Sequence, residues 1–259
     1  MDLGLTSKVV LVTGGSDGLG RALCSTLVAE GASLAFCGRN EDRLRRAESE
    51  LVAEGGDVLA VRCDVTDLVQ LEQMVASVSS RFGRLDGLVN NAGQASAKPV
   101  PDVTDEEWAA DLDLKLHAAI RLSRLCLPLL EKSGSGSIVN VLAISGKTPG
   151  PSTAPTSISR AAGLALTKVM SKDLGPRGVR ANAVLIGLIE SGQWVRLAEA
   201  SDANLDELYV NLAAGAGVPL GRVGRADEFG DLVAYLLSQR SSYVTGTGIN
   251  LDGGMSPAP

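Results

Sequence analysis

The chain has 259 residues, enough for one α/β domain or two small ones and for a sizeable core. Hydrophobic residues make up 45% and charged residues 21%, a globular composition that excludes a disordered chain. Net charge is -6, from 24 basic and 30 acidic side chains with no basic block, which argues against nucleic acid or an anionic membrane as partner.

The opening MDLGLTSKVVLVTGG has no cationic segment followed by a long apolar one, so no signal peptide is expected. No apolar run approaches the ~20 residues of a membrane span. Cys24, Cys37, Cys63 and Cys126 show no CxxC or Cys/His spacing. They read as buried free thiols in a reducing, cytoplasmic setting. No histidines or carboxylates stand at ligand spacing, so no metal is expected.

Short apolar runs then alternate with amphipathic stretches. Strands are predicted at Lys8–Thr13, Ser33–Cys37, Val58–Arg62, Leu85–Asn90, Ser137–Leu142, Val179–Leu185 and Thr247–Leu251. Between them, Leu44, Ala47, Leu51 and Val52 share one helical face, as do Leu71, Met74, Val75, Val78 and Phe82. Thr104 with Glu107 fits a capping box that opens the helix through Trp108. Seven strands separated by helices predict a parallel sheet with right-handed crossovers in one doubly wound domain covering residues 1–259. The segment Ser191–Leu220 is a long insertion before the last helix, and such segments often cover a site.

Gly14, Ser16, Asp17, Gly18, Leu19 and Gly20 follow the first strand and open the first helix. Glycines there let the backbone turn sharply and approach a pyrophosphate, which meets the free N–H groups of the helix N-terminus. The bland alternative is a plain tight turn.

The spacing of that turn is GxxxGxG. With Cys63-Asp64-Val65, Asn90-Asn-Ala-Gly93, Ile186-Gly-Leu-Ile-Glu-Ser191, Leu220-Gly-Arg-Val-Gly224 and Asn250-Leu-Asp-Gly-Gly254, it closely resembles the short-chain dehydrogenase/reductase family almost end to end. The resemblance implies a Rossmann-type sheet, NAD(P) binding and a homotetramer or homodimer. It places Ser16 and Leu19 in the pyrophosphate turn. Asp64 and Val65 would flank the adenine, and Asn90 and Ala92 the adenosine ribose side, with Gly93 a further cofactor-binding position. Ile189 would meet the nicotinamide carboxamide, Ser191 stands where the family often has threonine and keeps a hydroxyl, and Gly187 is a further cofactor-binding position. Ile186 stands where the family usually has proline.

Relatives that prefer NAD tend to carry an acid at the position of Gly38. Here Gly38 is followed by Arg39, whose N–H donors can grip a 2′-phosphate. NADP(H) is therefore expected over NAD(H). Asp17 opposes this by placing a negative charge near the same pocket, and Arg39 can also be read as a solvated surface charge.

The family's proton chemistry needs a tyrosine, a lysine one helical turn later, a serine and an asparagine. The resemblance puts Thr156, Arg160, Ala143 and Lys115 at those positions. Tyr209, Tyr235 and Tyr243 offer no replacement, because Ala213, Gln239 and Thr247 stand four residues later. The threonine alcohol is a far weaker acid than a phenol, with its pKa of ~10. Arg160 can hold ribose hydroxyls but cannot shuttle protons. Lys115 is the one new titratable group. Buried beside Arg160, its pKa would fall and it could act as a general acid. The alternative is a snorkelling helix residue. Ser145 could replace the lost serine hydroxyl. His117 points away from Lys115 and reads as packing or an interface, and Trp194 as lid packing or a substrate wall.

The expectation is an NADP(H)-dependent oxidoreductase with a rebuilt proton-transfer site. Its substrate would be a small carbonyl, alcohol or activated alkene, tested through Lys115, Thr156 and Arg160. The alternatives are a nucleotide-binding pseudoenzyme that senses NADP(H) or acts as a scaffold, and then a lyase or isomerase.

Overall fold

A computed structural model describes residues 2–259. All seven expected strands form, within one or two residues of their predicted ends. They are β1 (Val9–Thr13), β2 (Ser33–Gly38), β3 (Val58–Arg62), β4 (Gly87–Asn90), β6 (Gly136–Ala143), β8 (Val179–Ile186) and β9 (Gly248–Leu251), with the short β5 (Ala97–Lys98) and β7 (Ala154–Pro155) between them. The seven make one parallel sheet in the order β3-β2-β1-β4-β6-β8-β9. The order reverses at β1/β4, the switch point at which open α/β sheets bind ligands beyond their strand carboxyl ends.

The helices are α1 (Gly18–Ala29), α2 (Glu41–Ala53), α3 (Leu68–Phe82), α4 (Asp105–Leu112), α5 (Ala118–Lys132), α6 (Thr156–Leu174), α7 (Gly192–Ala200), α8 (Leu205–Gly215) and α9 (Ala226–Leu237). They cover both faces of the sheet. On one face Leu23, Leu27, Phe36 and Phe229 are fully buried, and on the other Leu71, Met74, Leu88 and Leu122. The near-continuous apolar runs of β1, β2 and β6 follow from this two-sided burial. The stripe of α3 buries Leu71, Met74 and Val78 as its periodicity predicts. In α2 the stripe is narrower than expected: Leu44, Ala47 and Leu51 are buried but Val52 is 54% exposed. Val52 adjoins Leu51 and so lies about 100° round the helix from it.

The Thr104–Glu107 capping box forms on α4. Between α4 and α5 the chain makes a π-helical turn, Asp113–His117, that the sequence pattern does not reveal. The insertion after β8 is two helices, α7 and α8, joined by a short turn. Among the described residues no helix is long and apolar enough to cross a membrane.

Candidate active site

The carboxyl ends of the central strands open into a cleft of about 550 Å³. Its floor is the turn between β1 and α1. Gly14 and Gly18 have φ of +69° and +55°, which side-chain-bearing residues rarely adopt. A Cβ on Gly20 would lie 2.1 Å from the Gly14 carbonyl oxygen, so the helix can start this close only without a side chain. Asn91 braces the turn by donating from Nδ2 to the Thr13 carbonyl at 2.8 Å. The Asn91 and Ala92 N–H groups both donate to Thr13 Oγ1 at 2.9 Å. Across the cleft, the Ser191 hydroxyl is buried and has no hydrogen-bond partner among the described residues. An open backbone cradle at a helix N-terminus, faced by an orphan hydroxyl, fits a dinucleotide pyrophosphate.

At the end of the cleft beside β2, a Cβ on Gly38 would fall 2.5 Å from Ser16 Oγ, so a side chain there would have to displace Ser16. Arg39 is 67% exposed and reaches Asp64 only at 3.8 Å. The Asp64 carboxylate is already engaged by the Thr66 N–H and hydroxyl. Asp17 caps α1 by accepting from the Gly18 N–H at 2.8 Å. Its other oxygen accepts from Arg43 at 3.1 Å and from Arg196, on α7, at 2.9 Å. The negative charge expected to oppose a phosphate is therefore neutralised on two sides. Three guanidiniums face two carboxylates at this end.

At the other end, α6 lies against β6 through Gly163, where a Cβ would come 2.7 Å from Leu142 Cδ2. This close approach seats Arg160 under the cleft. Its Nη1 donates to the Val141 carbonyl at 2.8 Å, and its Nη2 fills the space where a Gly93 side chain would stand. Burial brings its pKa down to about 10, and Asp111 opposes that shift. The Nε is buried without a partner. Lys115 enters from the π-helical turn with its side chain wholly buried. Its Nζ donates to Asp111 Oδ1 and, at 2.7 Å, to Thr156 Oγ1. Burial pushes the Lys115 pKa down, the Asp111 hydrogen bond pulls it up, and the charge of Arg160 pushes it down again.

The Thr156 hydroxyl also accepts from the Ser96 N–H at 3.0 Å and donates to the Ser96 carbonyl at 2.6 Å. One donor and two acceptor positions are all a hydroxyl has, so this one is saturated. The short antiparallel pair β5 and β7 holds Ser96 in place. Thr156 and Arg160 line the main cleft. Lys115 lies behind them, against a second cavity of about 20 Å³, room for about one water.

Residues 14–256 match the family model described as Enoyl-(Acyl carrier protein) reductase. A 3-oxoacyl-(acyl-carrier-protein) reductase of Thermotoga maritima is 32% identical over 97% of this chain and 98% of its own length. The chain belongs to the short-chain dehydrogenase/reductase family. It is an oxidoreductase of that type. Two solved structures are also similar. One is a short chain oxidoreductase from Pseudomonas aeruginosa PAO1 described as containing an atypical catalytic center. It is 37% identical in its NADPH-bound form, at a TM-score of 0.93 over 98% of this chain and all of the other. The other is L-sorbose reductase from Gluconobacter frateurii with NADPH and L-sorbose, 30% identical at a TM-score of 0.94 over the full length of both.

In this short-chain dehydrogenase/reductase, Gly14, Ser16, Asp17, Gly18, Leu19, Gly20, Arg39, Asp64, Val65, Ala92, Gly93, Arg160, Gly187, Ile189 and Ser191 all line the cleft. Asn90 does not. Its amide turns inward and donates to Asn140 Oδ1 at 2.8 Å and to Ser123 Oγ at 3.2 Å. The neighbouring Asn91 lines the cleft instead. Arg43, Arg196 and Asp111 were not evident from the sequence. Arg43 lies in the first turn of an amphipathic helix, and Arg196 reaches Asp17 from 179 residues away.

No tyrosine lines the cleft. Tyr243 is fully exposed, and Tyr235 and Tyr209 pack in hydrophobic clusters. Burial raises the Tyr209 pKa, which weakens it as an acid. His117 is half-exposed and pairs with Asp113 at 3.3 Å. The Trp194 indole donates to the Ile189 carbonyl at 3.1 Å, a packing role for α7. Ser145 is absent from the cleft lining.

Proposed function

We propose that the protein is an NADP(H)-dependent reductase of small carbonyl compounds or activated alkenes, with Lys115 as its proton source. One observation carries this reading: a wholly buried lysine donates to the hydroxyl of Thr156, which lines the cleft. Bound NADPH would supply the hydride. As negative charge develops on the substrate oxygen, Thr156 turns its proton from the Ser96 carbonyl to that oxygen. It regains a proton from the Lys115 ammonium, which is left as a neutral amine. The threonine alone is too weak an acid, but it can serve as a relay for a lysine whose pKa burial has lowered. Arg160 stays charged throughout and would hold the ribose side of the cofactor.

The phosphate preference rests on Arg39, supported by Arg43 and Arg196, and on the NADPH carried by the two similar structures. Carbonyl substrates are supported by the relatives named for 3-oxoacyl groups and L-sorbose. Helices α7 and α8 would form a lid over the substrate.

The reading is tested by following NADPH oxidation with 3-oxoacyl thioesters, L-sorbose and simple enones. At least one should be reduced, and Lys115→Met should slow that turnover about 10²-fold or more while leaving NADPH binding intact. Wild-type kcat in Lys115→Met would remove Lys115 from the mechanism. NADPH binding without turnover of any of these compounds would favour a sensor.

A further inference from the structure

Lys115 and Arg160 bring two cations into a protein interior, and an uncompensated buried charge is strongly unfavourable. Among the described residues the only anion facing them is Asp111, on α4, which is 5% exposed. The other side chains around Lys115 are neutral: Thr13, Asn90 and Asn140 from the sheet and Leu114 and Leu122 from the helices. Asp113 and His117, its sequence neighbours, pair with each other at the surface.

The Asp111 carboxylate is not saturated. Its Oδ1 takes the Lys115 ammonium, while its Oδ2 is buried with no partner among the described residues. It holds no helix cap or loop, and its side chain hydrogen-bonds to no backbone group. The π-helical turn between the two residues widens the helix, yet the four-residue contact is kept. The position of the lysine amine against Thr156 is thus set from α4 on one side and α6 on the other.

We propose that Asp111 is a positioning residue: its carboxylate fixes Lys115 against Thr156 and supplies the counter-charge that lets a buried ammonium persist beside Arg160. Without it, Lys115 would lose its proton at a lower pH and its amine would be free to swing away from Thr156. The consequence for turnover rests on the proton route proposed above, whereas the ion-pair role does not.

A test that needs no substrate is stability against pH. A lysine whose pKa is lower folded than unfolded binds fewer protons in the folded state between those two values. Stability therefore rises with pH through that window. Asp111→Asn should extend the rise downward by about one pH unit or more. Lys115→Met in the same background should abolish the rise. Asp111→Glu, which keeps the charge, should retain the wild-type profile.

Superimposable profiles for wild type and folded Asp111→Asn would overturn the proposal. If Asp111→Asn does not fold, the uncharged pair Asp111→Asn/Lys115→Met should fold. Failure of that double variant, with Lys115→Met alone folded, would show that Asp111 acts independently of Lys115 and would equally overturn it. With a reducible substrate in hand, the alkaline limb of kcat should move down in Asp111→Asn by the same amount. A stability shift without that movement would leave the ion pair standing and remove Lys115 as the acid.

Discussion

At the scale of single residues, the proposed preference for NADP(H) turns on the last residue of β2 and the one after it. An acid at Gly38 would both repel a 2′-phosphate and collide with Ser16. Arg39 beside it is open and only loosely paired. A charge-assisted contact is worth ~1.5–3 kcal/mol, or roughly 10- to 100-fold in affinity. Arg39→Ala should therefore raise the Kd for NADPH by about 10-fold or more and leave the Kd for NADH nearly unchanged, as titrated by fluorescence. Equal losses for both cofactors would assign Arg39 to the fold or the adenine. Arg39 was legible because it follows a strand end and a glycine turn that define the pocket. Asp111 was not, because DEEWAAD opens a helix with acids that look like dipole partners. Only the folded contact separates its seventh residue from Asp105, Glu106 and Glu107. Thr156 was legible as a position but not as a saturated hydroxyl, since its partners are backbone groups of Ser96 that carry no side-chain signature.

At the scale of elements, the strands were read nearly to the residue. Strands buried on both faces are short, near-continuous apolar runs that stand out between amphipathic helices. The irregular elements were not visible. The π-helical turn and the β5/β7 pair have no periodicity of their own, yet together they deliver Lys115 and Ser96 to Thr156. The insertion expected to form a lid meets the floor of the cleft at Asp17. Gly192 lies so close that a Cβ would sit 2.7 Å from Asp17 Oδ1, and Arg196 donates to the same carboxylate. This ion pair is half-exposed, and such pairs contribute about 0–1 kcal/mol to global stability. Arg196→Ala should accordingly leave the Tm almost unchanged but raise amide hydrogen exchange across Gly192–Ala200, because local opening is governed by local contacts. Unchanged exchange in that helix would show that Trp194 and the α8 packing hold it without Arg196.

At the scale of the whole molecule, the cleft exists only when both halves of the sheet are assembled. Its wall takes Gly14 from the end of β1, Arg39 and Asp64 from beyond β2 and β3, Ala92 from beyond β4, Arg160 from α6 and Ser191 from beyond β8. A ligand filling it touches nearly every layer, so it binds the native state and has no counterpart site in the unfolded chain. Binding at about 100 times Kd then adds ~2.7 kcal/mol to stability. For a domain of this size each kcal/mol moves the Tm by about 2–4 °C, so saturation with NADPH should raise it by roughly 5–10 °C. NADH at the same concentration should raise it less, because it offers Arg39, Arg43 and Arg196 no 2′-phosphate. The shift should survive Lys115→Met, since that side chain is wholly buried behind the cleft, and shrink in Arg39→Ala. A Tm that rises equally with both cofactors would place the arginines outside the phosphate site. A Tm indifferent to both would mean that the glycine turn and the orphan Ser191 hydroxyl serve packing rather than a dinucleotide.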